Sequence, residues 1–326
     1  MQRFKNILCV VDPEEDGNKM ALERAITLAD SNNATLTVIN VFPGSGINAN
    51  MFNKNFSNDI EASVIHSRNE ELKSFVDNFP QQIKIHTKII VGTPFLEIIY
   101  EVLRNGYDLL IKTPTRVEWM DRIFSSDDMH LLRKCPCPVW MIHKDTTKSY
   151  KNILAAIDIS TSDQEQEIKA NESLNEQILK MAGSLAVSEL ANLHIVHAWH
   201  APGESMLHGP RIRMDHAQIL EYTKNIKHIH EKKLDTFIDN ISTEKTGELI
   251  DFLKPKKHFV KGFPNKVIPE FAKKIDADLV VMGTIGRTGI PGLIIGNTAE
   301  DILNQLHCSV LAVKPSGFVS PVTLKK

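Results

Sequence analysis

The sequence predicts two tandem α/β domains, each an open parallel five-stranded sheet with helices on both faces. Three observations point there. The chain repeats itself, its strand-like runs are continuously apolar, and a spaced set of glycines follows one of those runs in the second copy.

The repeat orders the elements. Phe4-Lys5-Asn6-Ile7-Leu8-Cys9-Val10-Val11-Asp12 matches Tyr150-Lys151-Asn152-Ile153-Leu154-Ala155-Ala156-Ile157-Asp158, a short apolar strand closed by an aspartate. A helix-period segment follows in each copy, with Ala21, Ala25, Leu28 and Ala29 on one face in the first, and Leu174, Ile178, Met181 and Leu185 in the second. Leu36 to Val41 and Leu193 to Ala198 are the second strands. Gly92-Thr93-Pro94 and Gly262-Phe263-Pro264 suit strand-to-helix turns. Tyr107 to Ile111 matches Ala277 to Val281, and Cys137 to Ile142 matches Cys308 to Val313. Strands that are Val/Ile/Leu runs rather than alternating ones belong to parallel sheets covered on both faces. The domains are placed at residues 1–146 and 149–315, with a tail at 316–326. The second copy carries an extra Gly-, Pro- and Arg-rich stretch at 201–215, long enough to be a functional loop.

Bulk properties narrow the function. Of 326 residues 42% are hydrophobic and 24% charged, a globular composition. A net charge of −2 with scattered lysines offers no phosphate-backbone surface, so no nucleic-acid partner is expected. Lys254, Lys256 and Lys257, the densest group, read as a solvated loop. No apolar run approaches the ~20 residues of a membrane span, and Ile7 to Val11 is too short for a signal-peptide core. A cytoplasmic protein with no membrane partner is expected. Cys9 and Cys308 lie in apolar runs as reduced thiols, while Cys135-Pro136-Cys137 is a CxC pair rather than the CxxC of redox and zinc sites.

Open parallel sheets bind ligands beyond the carboxyl ends of their strands. After Leu279-Val280-Val281-Met282 comes Gly283-Thr284-Ile285-Gly286-Arg287, and further on Gly296-Asn297-Thr298 and a helix read as Ala299 to Leu306. Glycines after a buried strand let a ligand approach the backbone, and helix-start amides hold anions. The spacing is neither a P-loop nor GxGxxG. Asn297-x-x-Glu300 also reads as a capping box, so Asn297 has a structural role open to it.

The segment Met282 to Thr298 resembles the signature of the universal stress protein family, GxxG, nine residues, then G and a small hydroxyl residue; Gly283, Gly286 and Gly296 match it, and Asn297 stands in the hydroxyl position beside Thr298. The resemblance covers nearly the whole chain and implies the tandem type, with two Rossmann-like (adenine nucleotide alpha hydrolase-like) domains and ATP as ligand, with or without Mg²⁺. It implies Ile157 and Asp158 at the adenine, Ala198 lining its pocket, Met282 and Gly283 near the ribose, and Gly286, Arg287, Gly296, Asn297 and Thr298 around the phosphates. It also implies that the two halves imitate a homodimer, with Val139 to Ile142 and Val310 to Val313 pairing across the interface; both a monomer and a further homodimer stay open.

The first half lacks the motif. Lys112-Thr113-Pro114-Thr115-Arg116 and Ser125-Ser126-Asp127-Asp128 stand where the glycines should be, and Asp127 and Asp128 repel phosphate while suiting a helix start. This half is expected not to bind ATP. His194 and His200 share one strand face and His197 the other, so no tridentate metal set is expected. The helix with Ile219, Tyr222, Ile226, Ile229 and Leu234 reads as a core face. Neither GxSxG, HExxH nor a kinase signature occurs, so no catalytic residue is assigned and at most slow ATP hydrolysis is expected. The alternatives are a binder or slow hydrolase of another nucleotide-linked or apolar molecule held under the 201–215 loop, and a purely structural protein with a relic site.

Overall fold

A computed structural model describes residues 4–15, 17–43, 54–80, 83–115, 123–146, 149–159, 165–207, 214–242, 250, 252–284 and 296–324. The first half runs β1 (Asn6–Val10), α1 (Asn18–Asn32), β2 (Thr35–Phe42), α2 (Lys54–Asp77), β3 (Ile85–Val91), α3 (Pro94–Asn105), β4 (Leu109–Lys112), α4 (Ser126–Lys134) and β5 (Val139–Met141). The second runs β6 (Asn152–Ala156), α5 (Glu165–Glu189), β7 (Asn192–Trp199), α6 (Glu204–Leu207), α7 (His216–Ser242), β8 (Lys256–Lys261), α8 (Pro264–Lys274), β9 (Leu279–Gly283), α9 (Asn297–Leu303) and β10 (Ser309–Val313).

The halves fuse into one sheet ordered β3-β2-β1-β4-β5-β10-β9-β6-β7-β8. All neighbours are parallel except β5 and β10, which pair antiparallel with Val310 opposite Met141, Leu311 opposite Trp140 and Ala312 opposite Val139. The final strands therefore pair as the resemblance implied. Ile7, Cys9, Trp140, Ile153 and Leu311 are buried on one face of the sheet, and Leu8, Val139, Leu154 and Val310 on the other. A strand covered on both faces must be apolar at successive positions, which is why the runs do not alternate.

The repeat also reaches its fixtures. Asp108 accepts the backbone N–H groups of Lys5 (2.7 Å) and Asn6 (3.2 Å), and Asp278 those of Lys151 (2.7 Å) and Asn152 (2.8 Å). Each aspartate thus satisfies the entry of the first strand of its half, donors that would otherwise lack a partner. Gly92 (φ +151°) and Gly262 (φ +143°) make the turns before α3 and α8; a Cβ there would lie 2.6 Å from Glu97 Cγ and 2.5 Å from Val267 Cγ1.

Three expectations need correction. The helix after the glycine segment spans Asn297–Leu303, with Gly296 at its N-cap and no side-chain cap, so Asn297 is the first helical residue and the predicted capping box does not form. Ile229 is 47% exposed on α7, and the inward position of that turn belongs to His230, in step with Ile219, Leu234 and Phe237. Within 201–215 the chain turns through the short helix α6, and residues 208–213 lie outside the described residues.

Candidate functional site

In the second half β6 lies between β7 and β9, while the chain reaches β9 only after β8. The direction of strand addition reverses at β6, and the carboxyl ends of strands at such a reversal are where open α/β sheets bind ligands. Ala156 is in register with Met282, so Ile157 and Asp158 leave β6 beside the point where Gly283 leaves β9. Ala198, partly buried, lies near the end of β7, next to them.

Asp158 is held by its backbone. Asn175 of α5, 2% exposed, accepts the Asp158 N–H (3.2 Å) and donates to its carbonyl (2.8 Å), and Asn171 donates to the same carbonyl (2.7 Å). Burying an amide that reads both backbone groups fixes the residue's direction and leaves the Asp158 side chain exposed at this end of the sheet. On the other flank His197 Nδ1 lies 3.3 Å from the Ile157 carbonyl and 3.4 Å from the Ile159 nitrogen. In the first half Asn40, at the same position of β2, donates to the Val11 carbonyl (2.9 Å). His197 Nε2 lies 2.9 Å from His230 Nδ1. Burial, then His197 and nearby cations, push the His230 pKa down to about 4, with Asp158 pulling it back up. His230 is therefore neutral at pH 7. Nothing in the sequence marked Asn175 or the His197–His230 pair, because their partners are backbone groups and a helix far along the chain.

Met282 is buried in the core at the end of β9. The segment that follows is closed at its base: the Gly296 N–H donates to the Thr284 carbonyl (3.2 Å). Gly286 and Arg287 lie within this segment and outside the described residues. Asn297 and Thr298 are exposed on the first turn of α9. The structure thus brings Ile157, Asp158, Ala198, Met282, Gly283 and Gly296 to one end of the sheet. Among the described residues no group of three or more His, Cys, Asp or Glu side chains is placed to hold a metal.

The first half fills the same place with its own side chains. Lys112, the counterpart of Met282, donates to Asp128 Oδ1 (2.9 Å), the Thr113 carbonyl (2.8 Å) and Thr115 Oγ1 (2.9 Å). Asp128, fully buried and the counterpart of Ala299, accepts at Oδ2 from the Thr115 N–H (2.9 Å), the Ser125 N–H (3.0 Å) and the Ser125 hydroxyl (2.8 Å). Ser125 and Asp128 form a reciprocal capping box at the start of α4. A carboxylate of the chain itself lies at this helix start, and a lysine pairs with it.

A second exchange accompanies the first. Thr113 replaces Gly283, and Gly17 replaces Leu174. A Cβ on Gly283 would lie 2.7 Å from Leu174 Cδ2, whereas a Cβ on Gly17 (φ +114°) would lie 3.2 Å from Thr113 Cγ2. Bulk has moved from the helix to the strand end, and the strand end is where a ligand must approach the backbone.

The two halves are bound by more than β5 and β10. Arg24 pairs with Glu189 (2.7 Å) and stacks on Tyr150 (3.6 Å), and Arg133 pairs with Glu300. Among the described residues no helix is long and apolar enough to cross a membrane.

Two doubly wound halves joined edge to edge through their last strands define the class of tandem α/β proteins, and the chain belongs to the universal stress protein family, whose model matches residues 3–143 and again 149–314. It is 30% identical to the universal stress protein E homolog of Haemophilus influenzae over 96% of this chain and 98% of that one. It is 28% identical to universal stress protein E of Escherichia coli K12, over 99% and 98%. Two solved structures share the fold along the chain: a functionally unknown protein from Pseudomonas aeruginosa PAO1 (TM-score 0.68, 24% identity, 97% and 95% covered) and a universal stress protein from Archaeoglobus fulgidus (TM-score 0.63, 17% identity, 95% and 98% covered).

Proposed function

We propose that the protein is a cytoplasmic stress-response protein that binds ATP in its second domain only, as a sensor or binding module rather than a dedicated enzyme. The observation that carries this is the contrast between the halves. The second has a glycine at the end of β9, a loop base closed by the Gly296–Thr284 bond and an exposed Asp158, where the first carries Thr113, Lys112 and a buried Asp128. In this reading Ile157, Asp158 and Ala198 surround the adenine and Met282 and Gly283 pack at the ribose. Gly286, Arg287, Gly296, Asn297 and Thr298 surround the phosphates, with Mg²⁺ carried by the nucleotide. Because α9 has only seven residues and carries Glu300 in its first turn, the phosphates rely on loop amides and Arg287 rather than on a helix dipole. The chain acts as an internal pseudo-dimer, its β5–β10 joint satisfying the edge that a second subunit would otherwise cover.

One feature favours the apolar-ligand reading as the second choice. Phe263, 61% exposed, stacks on His200 at 5.1 Å, and Met206 is 70% exposed, all beyond the ends of β7 and β8.

Calorimetric titration of Mg²⁺-ATP into the wild type and into Gly296→Val tests the proposal. Gly296 has φ −62° and ψ 133°, which any side chain adopts, so the substitution brings no backbone strain, and circular dichroism of the variant checks that it is folded. Binding near one ATP per chain, lost in the variant, is expected. A wild type that binds no ATP, or two ATP per chain, refutes it, and mass spectrometry of a co-purified apolar molecule would then select the second reading.

A further inference from the structure

The CxC pair, unused by any reading above, brings two thiols into contact. Cys135 caps the C-terminal end of α4 and Cys137 precedes β5; both are buried, and their sulfurs lie 3.5 Å apart. A disulfide needs about 2.05 Å, so a modest closure around Pro136 joins them. Beside them Lys314, 4% exposed, follows β10. Its ammonium donates to the Leu132 carbonyl at the last turn of α4 and to Thr284 Oγ1 (2.7 Å). Burial pulls the Lys314 pKa down to about 8, and the groups that pull it back up are the Cys135 and Cys137 sulfurs. Lys314 is held at the same end of α4 as Cys135, within electrostatic reach of two thiols in contact, and a nearby cation favours a thiolate.

We propose that Cys135 and Cys137 are a thiol–disulfide site, oxidised by a hydroperoxide, with Lys314 as the counter-charge of the attacking sulfur. The Cys135 thiolate attacks the peroxide oxygen, the O–O bond breaks, and the departing alkoxide takes up the proton that Cys135 released, leaving a sulfenic acid and an alcohol. Cys137 sulfur then attacks the sulfenic sulfur. The S–S bond forms and hydroxide leaves as water with the Cys137 proton. Two thiols and one hydroperoxide become one disulfide, one alcohol and one water; a dithiol reductant reverses the step by exchange, becoming a disulfide itself.

The lone thiols set the contrast. Burial pushes the Cys9 pKa far up and that of Cys308 up to about 12. Burial opposes ionisation of Cys135 too, but the hydrogen bond from Cys137 and the charge of Lys314 outweigh it and the Cys135 pKa falls. That bond to Cys135, with burial, raises Cys137.

The full chain is treated with equimolar hydrogen peroxide, unfolded, alkylated and cut with trypsin. Lys134 and Lys144 bound a peptide that holds both cysteines of the pair and neither of the others. The peptide is expected unalkylated and two hydrogens lighter, while Cys9 and Cys308 are alkylated. Alkylation of all four cysteines to the same extent overturns the proposal, and this comparison needs no variant. Lys314→Met is expected to slow oxidation ~10-fold or more. A folded Lys314→Met that oxidises at the wild-type rate overturns the role of Lys314. Cys137→Ser is expected to stop at a Cys135 sulfenic acid that dimedone traps; failure to trap it overturns Cys135 as the attacking sulfur. The outcome is independent of whether ATP binds.

Discussion

The buried pair of the first half makes the sharpest energetic prediction. Asp128 has no exposure and the Lys112 side chain 12%, and the two share a 2.9 Å bond. Asp128→Ala leaves Lys112 without its counter-charge and strips the acceptor from the Thr115 N–H, the Ser125 N–H and the Ser125 hydroxyl. Removing one partner of a buried pair costs about 3–5 kcal/mol. Lys112→Met leaves a buried carboxylate still held by three donors and costs about 2–4 kcal/mol, somewhat less than its partner's loss. The double variant reproduces the Met282 and Ala299 of the second half. It removes both charges together, and the remaining loss is the capping bond, about 1–2 kcal/mol. The singles therefore exceed the double, with a coupling of at least ~2 kcal/mol. Urea unfolding at pH 7, read by circular dichroism at unchanged slope, measures it. Singles that add up to the double, or an Asp128→Ala that costs under ~1 kcal/mol, would show that the pair is not the internal anion described here.

Two further outcomes follow from the same packing. At the joint between halves, Arg24→Met and Glu189→Gln should each destabilise by about 2–4 kcal/mol, with a positive coupling above ~1 kcal/mol in the cycle; the Arg24–Glu189 side chains are only 6% and 18% exposed, and Glu189 also accepts the Tyr150 N–H (2.9 Å). Additive losses would sink this reading. Stability should also fall as pH drops from 6.5 toward about 4. His194, by burial and then His258 and Lys256, and His230, by burial and then His197, are both held down to about 4, so the unfolded chain takes up protons there that the folded chain refuses. Melting temperature against pH measures this, and His230→Phe should flatten the slope; an unchanged slope in that variant removes His230 from the account.

The sequence by itself determined the architecture. Continuous apolar strands require a two-sided parallel sheet, and the repeated strand-end aspartates and Gly-x-Pro turns marked where its layers join. It also placed Ile157, Asp158, Met282, Gly283 and Gly296 at one end of that sheet, because local motifs sit at fixed offsets from strand ends. Only the tertiary structure showed that Asn175 and His197 orient the Asp158 segment. Only there is Lys112 seen to answer Asp128, Gly17 to make room for Thr113, and the Cys135 and Cys137 sulfurs to meet. Each of these is a contact between residues brought together by separate elements. Hydrophobic periodicity reports which face of an element is buried, but the partner that a buried polar group finds is set by how those elements pack.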